Sequence, residues 1–296
     1  MDRLFLGCLA LCALAAPLTL WGQDAAGPAD EAAYQKFVEE YFDYYERGVN
    51  DSAELALRSA IKILPDNQAN FLLKANLAEL VVSRKDTLGA VSLLSEALAD
   101  HPEMEEIRDR RAALFEKSGR ANDALADLDV LIDSHPQYEV YRYRKALVLI
   151  QERLWNGAAS ELELIVRNNP QGYLPRVTLA AVDSERGREL EAEQALTLLT
   201  EEYPDIHVAP RTLALFYLKE GRKTEALETI RKVINEGKVV TAEDYLTRAA
   251  IWSAYGEEGE AAEDRAKAAE LGASDETLRA YAGNHGETFW KPLLLR

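Results

Sequence analysis

Four histidines, His101, His135, His207 and His285, are the side chains in this sequence best suited to bind a metal or to move a proton near neutral pH. Two of them share a context. "DHPEM" at residues 100–104 and "SHPQY" at residues 134–138 repeat a His-Pro step 34 residues apart. A shared metal site would hold both imidazoles about 2 Å from one ion, with carboxylates or thiolates at ligand spacing nearby. The sequence offers no such cluster around them. Glu105-Glu106 and Glu201-Glu202 are acid pairs of the kind that exchange protons in active sites, but they belong to a generally acidic surface. Both cysteines, Cys8 and Cys12, fall within the first 23 residues, and the chain carries no glycine-rich phosphate loop and no nucleophile elbow. No catalytic residue, cofactor or metal is expected.

The residues that could do chemistry are thus scattered, and the elements around them must explain the His-Pro spacing. A chain of 296 residues that is 48% hydrophobic can bury a sizeable core. Ala, Leu and Glu dominate, and few runs alternate Val, Ile and Thr, which favours helix over sheet. The net charge of −17 repels phosphate backbones and anionic lipid headgroups, so nucleic acid is not an expected partner.

The first residues, "MDRLFLGCLALCALAAPLTLWGQ", place Arg3 before an apolar run from Leu4 to Ala16, then Pro17 and a small-residue end at Gly22. This is the pattern of a secretory signal peptide, residues 1–22, followed by a short linker, residues 23–33. Cleavage after Gly22 would leave a mature chain without cysteine and without a membrane-inserted segment, exported to a bacterial periplasm or cell envelope. An uncleaved inner-membrane anchor is the alternative, because Leu4 to Gly22 is uncharged and about long enough to span a bilayer.

Pro65, Pro102, Pro136, Pro170 and Pro204 are spaced 37, 34, 34 and 34. An alanine lies twelve residues before each: Ala53, Ala90, Ala124, Ala158 and Ala192. A further twelve residues upstream stand Ala78, Ala112, Ala146 and Ala180, where two helices must approach closely. Gly48, Gly119 and Gly187 sit five residues before the later alanines, where a turn between helices needs a left-handed residue. Two more units keep this frame without the proline, through Ala214, Gly221 and Ala226 and then Ala249, Gly256 and Ala261.

A 34-residue helix-turn-helix unit with small residues at its eighth and twentieth positions and proline at the thirty-second resembles the tetratricopeptide repeat. The resemblance implies an all-α fold, a right-handed α-solenoid of about seven units: 34–67, 71–104, 105–138, 139–172, 173–206, 207–240 and 242–275. The sequence departs from the family at the bulky fourth position, which is Lys74, Arg108, Arg142 and Arg176. In the first unit Tyr41 replaces the small eighth residue, so this unit reads as a cap. His101 and His135 fall at equivalent turns of neighbouring units, on the order of 10 Å apart in such a stack, and read as punctuation.

Comparing units exposes one covariation. Arg111, Lys145 and Arg248 occupy the seventh position, and the same three units carry Asp127, Glu161 and Asp264 sixteen residues later. Leu77, Leu179 and Leu213 at that position instead match Leu93, Ala195 and Thr229. The exchange predicts an ion pair between the two helices of some units and an apolar contact in others.

Stacked helix pairs of this kind present a concave face, which the resemblance lines with the second, fifth, ninth and twelfth residues of each first helix. The fourth unit then offers Val140, Tyr143, Leu147 and Ile150. The fifth offers Leu174, Val177, Ala181 and Ser184, and the sixth Val208, Arg211, Leu215 and Leu218. The third unit contributes the acidic set Glu106, Asp109, Ala113 and Glu116. An apolar centre with an acidic flank suits a protein or peptide segment that carries basic residues beside its apolar anchors. The expected function is a noncatalytic binding scaffold of the bacterial envelope. The alternative is a self-assembling structural protein, or an accessory subunit of an envelope complex, that associates through its apolar C-terminal tail. Residues 276–296 are read as a capping helix followed by that tail, which contains Phe289, Trp290, Leu293, Leu294 and Leu295.

Overall fold

The computed structural model describes residues 27–281, so the segment read as a signal peptide and the tail from Phe289 to Leu295 lie outside the described residues. All regular structure among the described residues is helical. None of these helices is long and apolar enough to cross a membrane. The chain divides into two compact units, Met1–Gln137 and Tyr138–Arg296.

The first unit holds three packed helix pairs: α1 (Pro28–Glu46) with α2 (Asn50–Ile63), α3 (Asn70–Ser83) with α4 (Thr87–Asp100), and α5 (Glu105–Lys117) with α6 (Ala121–Ser134). The second unit holds four: α7 (Glu139–Gln151) with α8 (Trp155–Asn168), α9 (Tyr173–Glu185) with α10 (Glu189–Glu202), α11 (Val208–Lys219) with α12 (Lys223–Glu236), and α13 (Ala242–Ala254) with α14 (Glu258–Glu270). It ends in α15 (Asp275–Tyr281), packed on α13 and α14. The segment read as linker is partly helical: α1 begins at Pro28, because proline suits a first helical position and Asp30 and Glu31 complement the positive end of the helix. At the other end the Ser274 hydroxyl caps α15, accepting from the Thr277 amide at 3.1 Å.

The repeated alanines lie in the packed interior of each pair. Ala112 and Ala124, Ala146 and Ala158, and Ala214 and Ala226 are all fully buried. A larger side chain at any of them would force the helices apart, at a cost of about 1–3 kcal/mol. The turn joining the helices of a pair is left-handed at Gly48 (φ 71°), Gly119 (φ 68°) and Gly187 (φ 76°). The units that lack glycine make the same turn anyway, with Lys85 at φ 64° and Arg153 at φ 57°. At each of these the next amide closes a six-residue ring that satisfies a helix-terminal carbonyl, as Arg120 N donates to Phe115 O at 2.9 Å and Leu154 N to Leu149 O at 2.8 Å.

The covarying residues meet. Arg111 Nε and Nη2 donate to the two Asp127 carboxylate oxygens at 2.8 and 2.7 Å, tying α5 to α6. Arg248 grips Asp264 in the same forked way at 2.8 and 2.6 Å between α13 and α14, and Lys145 reaches Glu161 at 2.8 Å between α7 and α8. The cationic fourth position joins them: Arg108 donates to Asp127 at 3.2 Å and Arg142 to Glu161 at 2.9 Å. Elsewhere it reaches along the second helix, Lys74 to Glu96 at 3.4 Å and Arg176 to Glu202 at 2.8 Å. The side chain that is bulky and apolar in the family is thus replaced by a cation whose apolar stem packs and whose head pairs with an acid.

The His-Pro turns clasp their own units. The residue before each closing proline meets the first residue of the same unit: His101 stacks on Phe71 with ring centroids 4.1 Å apart, His135 Nε2 meets Glu105, Asn169 donates to Glu139 at 3.4 Å, and Tyr203 lies edge-on to Tyr173.

Candidate partner-binding face

The first helices of the second unit, α7, α9 and α11, carry the expected face. Thr178 donates its own hydroxyl proton to Leu174 O at 2.9 Å, which leaves its oxygen to accept from the Tyr143 phenol, also at 2.9 Å. That bond anchors α7 to α9. Val140 is 56% exposed at the start of α7, and Tyr143, Leu147, Leu174 and Leu218 are half-buried. These five present apolar surface.

Four other residues assigned to the face, Ile150, Val177, Val208 and Leu215, are at most 4% exposed and offer no surface. Helical spacing marks a stripe of positions, and the stripe is wider than its open part. Arg211 is also displaced from the expected role. It is 8% exposed, and its Nη1 donates to Asp244 Oδ1 at 3.2 Å and to Thr241 Oγ1 at 3.1 Å.

Asp244 is the hub of that cluster and is fully buried. Its second oxygen accepts from the Thr241 amide at 2.8 Å and lies 2.8 Å from His207 Nδ1. Both oxygens are thereby taken. Thr241 and Asp244 form a reciprocal cap at the start of α13, and with His207 and Arg211 they lock α11 to α13. The sequence reading missed this cluster: the three-residue spacing from Thr241 to Asp244 is the one signal that could have marked the cap, and nothing in the sequence placed His207 beside it. Beyond this cluster, Lys219 Nζ donates to Ser184 Oγ at 3.0 Å and pairs with Glu185 at 2.9 Å, closing the rim between α9 and α11.

In the first unit the acidic positions of α5 remain accessible, Glu106 exposed and Asp109, Ala113 and Glu116 half-buried. Among the described residues, no three His, Cys, Asp or Glu side chains gather closely enough to hold a metal ion.

This chain is similar in structure to a tetratricopeptide repeat protein from Parabacteroides merdae ATCC 43184, at 26% identity and a TM-score of 0.68, over 87% of this chain and 99% of that one. MamA from Desulfovibrio magneticus RS-1 aligns at 15% identity and a TM-score of 0.48, over 60% and 96% of the two chains. PilF from Pseudomonas aeruginosa aligns at 15% identity and 0.45, over 86% and 98%. Those two likenesses are too slight to support an argument. No family model and no curated protein matches the chain. The helix pairs, their buried alanines and the first of these likenesses define the class: the chain has the tetratricopeptide-repeat fold. That fold is in general one of protein–protein interaction scaffolds.

Proposed function

We propose that the protein is a noncatalytic scaffold of the bacterial envelope that binds a segment of a partner protein on the inner face of its second unit. The observation that carries the reading is the row of apolar side chains left open on adjacent first helices, Val140, Tyr143 and Leu147 on α7 and Leu174 on α9, in a fold that serves interaction. The acidic charge of the chain favours a partner segment with Lys or Arg beside its apolar anchors. Export is inferred from the Arg3 to Gly22 pattern and is checked by N-terminal sequencing of the protein recovered from fractionated cells.

The binding test is in-cell crosslinking of the tagged protein followed by mass spectrometry, with wild type set beside a Val140→Glu, Leu174→Glu variant of verified helix content. A defined envelope protein captured by wild type and lost from the variant supports the face. Identical capture by both proteins refutes it.

A further inference from the structure

We propose that a cavity in the last helix pair, α13/α14, takes one aromatic side chain of the partner segment, flanked there by Lys or Arg. This rests on the partner-binding reading above and names the chemistry of a second anchor.

The earlier repeats fill one matched place with side chains from their first and thirty-first residues. Phe71 meets His101 there, Glu105 meets His135, Glu139 meets Asn169, and Tyr173 meets Tyr203. In the next repeat His207 fills the place against Gly237, where an added Cβ would come within 3.1 Å of the imidazole. The last repeat has Ala242 and Gly272 at these two positions, with one methyl group between them. A cavity of about 470 Å³ opens there, between the start of α13 and the α14–α15 turn, walled by Val240, Thr241, Ala242, Leu271, Gly272 and Ala273. Ligand pockets span about 300–1,000 Å³, so the space is large enough for a ring and the chain that carries it.

The filled repeats show which chemistry fits, since all but the Glu139 and Asn169 pair place a ring there. Ala242 and Ala273 are half-buried against Leu246, Ala268 and Tyr281, which gives the cavity an apolar floor, and Leu271, 51% exposed, gives it an apolar rim. Glu243 also lines it, and Asp275 and Glu276 stand exposed between the lining residues Ser274 and Thr277, so cations suit the flanks of the occupant. The cavity is continuous with the inner layer. Thr241 on its wall accepts from Arg211 of α11 at 3.1 Å, and Leu174 and Ala242 both stand in the first turn of their helices, α9 and α13. α11 packs on both of these helices, which sets them two helix spacings apart, roughly 20 Å. An extended strand covers that distance in about six residues, so a single partner segment can rest an apolar residue on Leu174 and an aromatic one in the cavity.

The test adds millimolar para-cresol, a tyrosine side chain without its backbone, to the full chain and follows the backbone amides by NMR. Binding should move the Ala242, Gly272 and Ala273 resonances, and no movement there would overturn the proposal. Ala242→Tyr fills the cavity from within. It should raise the melting temperature by about 2–4 °C, abolish the cresol shifts and cut the crosslinked partner yield roughly tenfold. A lowered melting temperature would show that the place cannot take a ring and would overturn the proposal. Cresol shifts lost with partner yield unchanged would give the cavity to a free aromatic compound and overturn the partner assignment. Because the cresol measurement needs no partner, cresol shifts together with capture that responds to Ala242→Tyr but not to Val140→Glu, Leu174→Glu would sink the inner face and leave the cavity standing. Capture that responds to the face variant alone would do the reverse.

Discussion

At two matched positions the α5/α6, α7/α8 and α13/α14 pairs carry an ion pair, where α3/α4 has Leu77 and Leu93, α9/α10 has Leu179 and Ala195, and α11/α12 has Leu213 and Thr229. Leu77 and Leu213 are at most 5% exposed and belong to the packed interior, and Asp127 and Asp264, on the ionic side of the comparison, are each only 3% exposed. A buried carboxylate is tolerated because a forked guanidinium meets it with two short bonds, which offset much of the cost of removing both charges from water. One fold therefore accepts either chemistry at this contact, provided both partners change together. What separates the two kinds of pair is the penalty for changing one partner alone.

Arg248→Ala is expected to cost about 3 kcal/mol, because Asp264 pairs with Arg248 alone among the described residues and would be left buried and uncompensated. Chemical denaturation measures it. An alkaline transition follows in size. Burial pushes Tyr34 and Tyr281 up to about 12, and Tyr41 is raised for the same reason. The folded state thus favours the neutral phenol; the stability this contributes is complete below about pH 10, the unfolded value, and is lost as the pH climbs toward 12. Tyrosinate absorbance from these residues should appear together with loss of helix, and tyrosinate forming ahead of unfolding would contradict their burial. Arg111→Ala is expected to cost less than Arg248→Ala, about 1–2 kcal/mol, since Arg108 stays on Asp127 at 3.2 Å. An equal loss in the two variants would show that the second cation contributes nothing.

The paired change Arg248→Leu, Asp264→Ala copies the residues at the matched positions of α9/α10, Leu179 and Ala195, and its stability should lie within about 1 kcal/mol of wild type. A cost as large as that of the single change would mean that the α13/α14 pair requires its charges. Smallest is the turn. Lys85→Gly and Arg153→Gly relieve a left-handed residue and should each stabilise the fold by up to about 1 kcal/mol, read as a rise in melting temperature. A loss of stability would mean that Lys85 and Arg153 are not strained.

The helix pairs were legible because the alanines and prolines recur at fixed intervals, and an interval survives whatever the surface does. The ionic contacts were legible because two positions change together between units. The left-handed turns at Lys85 and Arg153 were hidden, since neither residue type favours that conformation and only the frame of the repeat demands it. The face was legible as a stripe, but its depth was not: Val140 and Val208 are the same residue type at the second position of their units, yet 56% and 4% exposed. Exposure depends on neighbouring helices, which a helical period does not encode. Arg211 misled for a related reason. A cation on a nominally open position turned inward because the Asp244 carboxylate, arriving from α13, needed a partner.

The central claim is a division of labour in which the contacts within pairs hold the fold and the open apolar positions of α7 and α9 hold the partner. The most direct measurement takes melting temperature and crosslinked partner yield together for wild type, Arg111→Ala and Val140→Glu, Leu174→Glu. The account predicts a lowered melting temperature with partner retained for the first variant, and partner lost with helix content kept for the second. Partner lost from folded Arg111→Ala, or retained by the face variant, would contradict it.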